Sequence, residues 1–199
     1  MNVLSNAINS ISAYIKDNKT KTIVYLSSFL IGLVLGVVLG YIRKDYYDNF
    51  ATNNYLDLIL NQNATIVIFI KSNILFYLFV FVLSFILLIL PPKLSNVLFP
   101  IYIILLTAKT ISVGVIVMFG GGIWGIFTFL IYYLIPSILL FGFLYITKMI
   151  FYQNFCQNGF LLKHIRIEMF IVYILSYLIF FILLILYCVA VALIFKIIF

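Results

Sequence analysis

The sequence predicts an all-α polytopic membrane bundle of about five transmembrane helices, preceded by a short amphipathic helix. Three observations carry this. Of 199 residues, 66% are hydrophobic and only 9% are charged, whereas soluble domains carry about 25% charged residues. The apolar residues come in runs of about 20 or more, long enough to cross a hydrocarbon core of about 30 Å. The polar connectors are too short for a separate soluble domain, so residues 1–199 read as one membrane domain.

Residues 1–21 form a polar leader in which Leu4, Ile8, Ile11 and Ile15 recur at helical spacing. This stripe predicts an amphipathic helix on the cytoplasmic membrane surface, followed by Lys16, Lys19 and Lys21 at the lipid boundary. A partly ordered leader fits the same residues, because so short a helix is marginal without packing. The first span, 22–42, has no small-residue cleavage site after it and reads as a retained anchor. Within it Ser28, Gly32, Gly36 and Gly40 stand four apart, a glycine-zipper ridge that lets another helix approach backbone to backbone. Spacing alone leaves open whether that neighbour belongs to this chain or to a partner.

Residues 43–73 make an outer connector rich in aspartate and tyrosine, a composition suited to the water–lipid boundary. Asp45, Asp48 and Asp57 do not have the alternating spacing of a calcium loop. The second span, 74–90, ends at Pro91-Pro92, which cannot continue the helix. Spans three and four, 97–119 and 123–147, form a hairpin around an outer turn containing Gly120, Gly121, Gly122, Trp124 and Gly125. Pro136 inside the fourth span predicts a kink with freed carbonyls. A cytoplasmic connector, 148–168, leads to a last span, 169–199, long enough to tilt.

Twelve Lys and Arg against five Asp and Glu would suit a nucleic-acid binder if they formed a continuous face. They are scattered at helix ends instead, where they meet membrane lipids and set topology, so nucleic acid is excluded as a partner. Counting basic residues on alternate sides favours a cytoplasmic N-terminus and an outer C-terminus in a bacterial cytoplasmic membrane. The lone histidine, His164, stands four residues before Glu168 with no third ligand nearby, so neither a metal nor any other cofactor is expected. No nucleophile–base–acid constellation is present, and GGGIWG lacks the Lys-Ser/Thr ending of a phosphate loop, so the chain does not read as an enzyme.

The candidate site is Lys109, at mid-run in the third span, with Thr110 and Gly114 after it and Pro136 on the returning helix. An intramembrane ionisable residue marks function by default, because insertion of a charge at the bilayer centre costs about 2.5–3.5 kcal/mol. No acidic residue lies between Asp57 and Glu168. Lys109 is therefore a polar core contact or a docking point whose counter-group is not an intramembrane carboxylate of its own chain.

In order and spacing these features resemble the stage II sporulation protein M family. The matching pieces are the glycine-spaced first span at Gly32 and Gly36, the stretch FIKSNILFYLF leading into span two, and a proline-containing turn. They continue with the step from Lys109 to Gly114, the turn from Gly122 through Trp124 to Gly125, and Pro136 in span four. Two positions depart from the family pattern: Thr110 stands where a glycine is common, and Ser137 where an amide or histidine is usual. The resemblance implies a non-enzymatic scaffold that anchors extracytoplasmic peptidoglycan hydrolases, of the stage II sporulation protein D and P type, at the septal membrane during engulfment. Homo-oligomerisation stays open. The competing class is a small channel or permease subunit with Lys109 in an anion or polar-substrate pathway.

Overall fold

The computed structural model describes residues 15–16, 18–46, 66–120, 122–156 and 167–198. Helix α1 spans Lys19–Ile42 and is followed by a 3-10 turn, Lys44–Tyr46. Helices α2, Ile66–Ile89, and α3, Pro92–Gly120, are joined at the proline pair. Helix α4 is built from Gly122–Thr128, a π-helical stretch Phe129–Leu134, and Ile135–Cys156, and α5 spans Ile167–Ile198. The described residues are almost wholly helical and contain no strand. Three stretches, Lys19–Ile42, Lys93–Gly120 and Gly125–Met149, are long and apolar enough to cross a membrane.

These helices outrun the sequence-drawn spans. The fourth continues past residue 147 to Cys156, so Lys148 is a helix residue and not the start of a connector. Of the leader, residues 1–14 lie outside the described residues, as do 47–65 of the outer connector and 157–166 of the inner one.

Helix α3 is central, with α1, α2 and α4 around it and α5 packed on α2 and α4. Its axis is set by the glycine ridge of α1. A methyl carbon on Gly32, Gly36 or Gly40 would lie 2.8 Å, 2.7 Å or 2.6 Å from the Cβ of Thr107, Ile111 or Val115 respectively. Backbone carbonyls of Ile104, Ala108 and Ser112 stand equally close, so the two main chains touch along three successive turns. The partner of the ridge is thus α3 of the same chain. Such contact needs glycine, since even alanine would force the helices apart.

With small residues inside, α1 turns its bulk outward: Leu30, Val34, Val37 and Ile42 are among its exposed side chains. In water so much exposed apolar surface would be an association liability; in lipid it is the solvated face. Aromatic pairs fill the space between the other helices. Phe29 stacks on Phe141 at 4.6 Å, Phe143 on Phe180 at 4.7 Å, and Tyr25 meets Phe99 edge-on at 5.7 Å.

Buried hydroxyls are bonded to carbonyls. Ser28 donates to Val24 O and Thr147 to Phe143 O, each one turn back on its own helix. Three tyrosines reach across to α2: Tyr102 donates to Val80 O at 3.1 Å, Tyr173 to Phe81 O at 2.9 Å, and Tyr177 to Tyr77 O. Away from the lipid boundary, a tyrosine is kept by such a partner.

Candidate functional site

The backbone around Pro136 explains how the candidate residues are distributed. Proline has no amide, so one carbonyl of the preceding turn has no helical donor. In α4 the chain widens into the π-helical stretch, where the amide of Ile135 bonds Leu130 O, five residues back. Continuing that register would bring residue 136 to Ile131 O, and Pro136 has nothing to donate. Tyr187 of α5 supplies the missing bond, its hydroxyl donating to Ile131 O at 2.6 Å. The freed carbonyl expected from the sequence exists, and it is met by a tyrosine rather than by Lys109.

The same wide turn packs on Gly114. A methyl carbon there would fall 2.7 Å from Tyr133 Cβ and 2.8 Å from Phe129 Cδ2, so the glycine of α3 receives the π-helical bulge of α4. One turn further, Thr107, Thr110 and Ser137 line a small cleft closed by Leu106, Leu140 and Leu144. Two of these hydroxyls are engaged locally: Thr110 donates to Leu106 O at 2.9 Å and Ser137 to Tyr133 O at 2.6 Å. Thr110, Gly114 and Pro136 therefore belong to one α3–α4 seam.

Lys109 does not join them. It is exposed, on the side of α3 turned away from the cleft, and its Nζ stands 5.0 Å over the ring of Phe76 in α2. Of the two readings the sequence allowed, a polar core contact does not describe this placement. Along the helix the charge lies near the middle. At about 1.5 Å per residue, α3 carries it roughly 16 Å from the Gly120 end and 26 Å from the Pro92 end. An exposed cation–π contact contributes about 0.5–1 kcal/mol, less than the roughly 2.5–3.5 kcal/mol of insertion cost, so Phe76 alone does not offset the charge.

A second lysine, Lys148, was expected at the lipid boundary and instead is 5% exposed. Its Nζ donates to Ser95 Oγ and stands 5.2 Å over the ring of Phe99, while the Ser95 hydroxyl donates a hydrogen bond to Leu87 O at 2.6 Å. The chain of contacts ties α4 to the first turn of α3 and the last turn of α2. Beside it the side-chain oxygen of Asn96 is buried without a hydrogen-bond partner.

At the other end of the hairpin, Gly120 closes α3 and Gly122 opens α4, with Gly121 and the Trp124 side chain outside the described residues. Gly125 is required by contact: a methyl there would meet Val117 O at 2.5 Å and Met118 O at 2.7 Å. Among the described residues no three His, Cys, Asp or Glu side chains come together as metal ligands. Comparison of the chain with family models, with curated proteins and with solved structures finds no match.

Proposed function

We propose that this chain is a non-enzymatic, multi-pass membrane scaffold that holds partner proteins in or against the membrane. The supporting observation is the placement of Lys109 on the outer surface of the bundle, at mid-depth. A conducting pathway needs its charge among the walls of a cavity. Here the cleft of the α3–α4 seam is lined by hydroxyls and apolar side chains, with the lysine outside it. A charge on the lipid-facing surface serves contact with something that is not lipid.

In this reading all five helices cross a bacterial cytoplasmic membrane, with the N-terminus inside and the 43–73 connector outside. The resemblance to the stage II sporulation protein M family supplies the class of partner, cell-wall hydrolases acting beyond the membrane. The test is affinity purification from mild detergent, combined with anion flux in proteoliposomes. Hydrolases that co-purify through the 43–73 connector support the scaffold. Anion flux lost in Lys109→Met, with no partner protein recovered, overturns it in favour of transport.

A further inference from the structure

The outer face of α3 carries more than one charge's worth of information. Val97, Ile101 and Leu105 precede Lys109 at four-residue intervals, and all four are exposed. They form a continuous strip along the central helix, between the sides it turns to α1 and α2. Elsewhere α3 is covered by its neighbours: its α1 side by the glycine ridge, its α4 side by the cleft and the π-helical bulge. The strip is apolar for three turns and then cationic.

We infer that this strip docks a single transmembrane helix of a different protein, one that carries an Asp or Glu at mid-membrane facing Lys109. The inference rests on the scaffold reading and names the chemistry of its partner. Charge complementarity selects the occupant. A second copy of this chain, seated on the same strip, would bring lysine against lysine. Nor could another face of a second copy supply the carboxylate: the acidic residues are Asp17, Asp45, Asp48, Asp57 and Glu168, none of them in the apolar runs 22–42, 74–90, 97–119, 123–147 or 169–199. Lipid headgroups are also out of reach. Lys109 lies about 4–5 Å from the midpoint of α3, roughly 10 Å inside the nearer edge of a 30 Å core. Snorkelling serves lysines near helix ends, and this one is not near an end.

The test places a photo-crosslinking amino acid at Leu105, which is 64% exposed one turn from Lys109, and a control at Val34, 64% exposed on α1. Both are read in native membranes. The expected result is one adduct from position 105, with a membrane protein whose spanning segment contains Asp or Glu, and no protein adduct from position 34. That adduct falls about tenfold in Lys109→Met and in Lys109→Glu, persists in Lys109→Arg, and falls equally when the partner's carboxylate is changed to its amide. Unchanged size-exclusion behaviour in detergent shows that the variants are folded. An adduct unchanged in Lys109→Met, an adduct with a second copy, or lipid adducts alone would each overturn the inference. If hydrolases still co-purify through the 43–73 connector while the position 105 adduct ignores Lys109, the docking helix is refuted and the scaffold stands.

Discussion

The hydroxyl of Tyr187 donates to the carbonyl of Ile131, the acceptor that Pro136 leaves without an amide. Two distant parts of the sequence thus complete one backbone hydrogen bond across the α4–α5 interface. In lipid no water can substitute for it, so the irregular turn survives only because a neighbour satisfies it. Tyr187→Phe should lower stability by about 1–2 kcal/mol, the range for a buried group losing its partner, measured by denaturant titration in mixed micelles. In a Pro136→Ala background, where residue 136 regains an amide, the same replacement should cost less than half as much. Equal costs in both backgrounds would disconnect the tyrosine from the proline.

The glycine ridge gives a graded prediction. Gly36→Ala puts a methyl 2.7 Å from Ile111 Cβ and 2.9 Å from Ala108 O, and the two backbones must separate. Overpacking of this kind costs about 1–3 kcal/mol. Gly142 has nothing within 4 Å of the same added methyl, so Gly142→Ala should be neutral or stabilising by up to about 1 kcal/mol through helix propensity. Thermal unfolding in detergent compares the two directly.

Lys148 and Ser95 form the third pair. Ser95→Ala removes an acceptor from a buried ammonium, whereas Lys148→Met removes the charge itself and leaves Ser95 bonded to Leu87 O. The serine variant should therefore be the more damaging by about 1 kcal/mol, and the double variant should lose less than the sum of the two single losses, because no buried ammonium is then left without its acceptor. Additive losses would show that the two side chains act independently.

How much of this was legible depends on what each residue reports about itself. Gly32, Gly36 and Gly40 announced a close helix contact by spacing, but only three-dimensional packing identifies Thr107, Ile111 and Val115 as the surfaces they meet. Pro136 announced a freed carbonyl because proline always lacks an amide. That Tyr187 answers it, from 51 positions later, is a tertiary fact that no local pattern carries.

Lysine positions were the least legible. A helix wheel scatters Thr107, Thr110 and Ser112 around the span and leaves no single polar face to orient it, so the sequence could not tell an inward Lys109 from an outward one. Lys148 followed a span drawn to bilayer length, and looked juxtamembrane because the helix was assumed to stop there. The tyrosines carry part of the missing information: Tyr102, Tyr173 and Tyr177 each donate to a carbonyl of α2, which orients the helices that bear them.

The account turns on which way Lys109 faces, and one measurement reads that directly. A nitroxide attached at Lys109→Cys in the purified chain, reconstituted in lipid nanodiscs, reports its surroundings through collision with oxygen, which concentrates in lipid, and with a water-soluble nickel chelate. An outward strip predicts high oxygen and low chelate accessibility. High chelate accessibility would place position 109 in a water-filled pathway, and low accessibility to both probes in the purified chain would place it in the core. Either outcome would contradict the outward placement of Lys109 on which the scaffold reading rests.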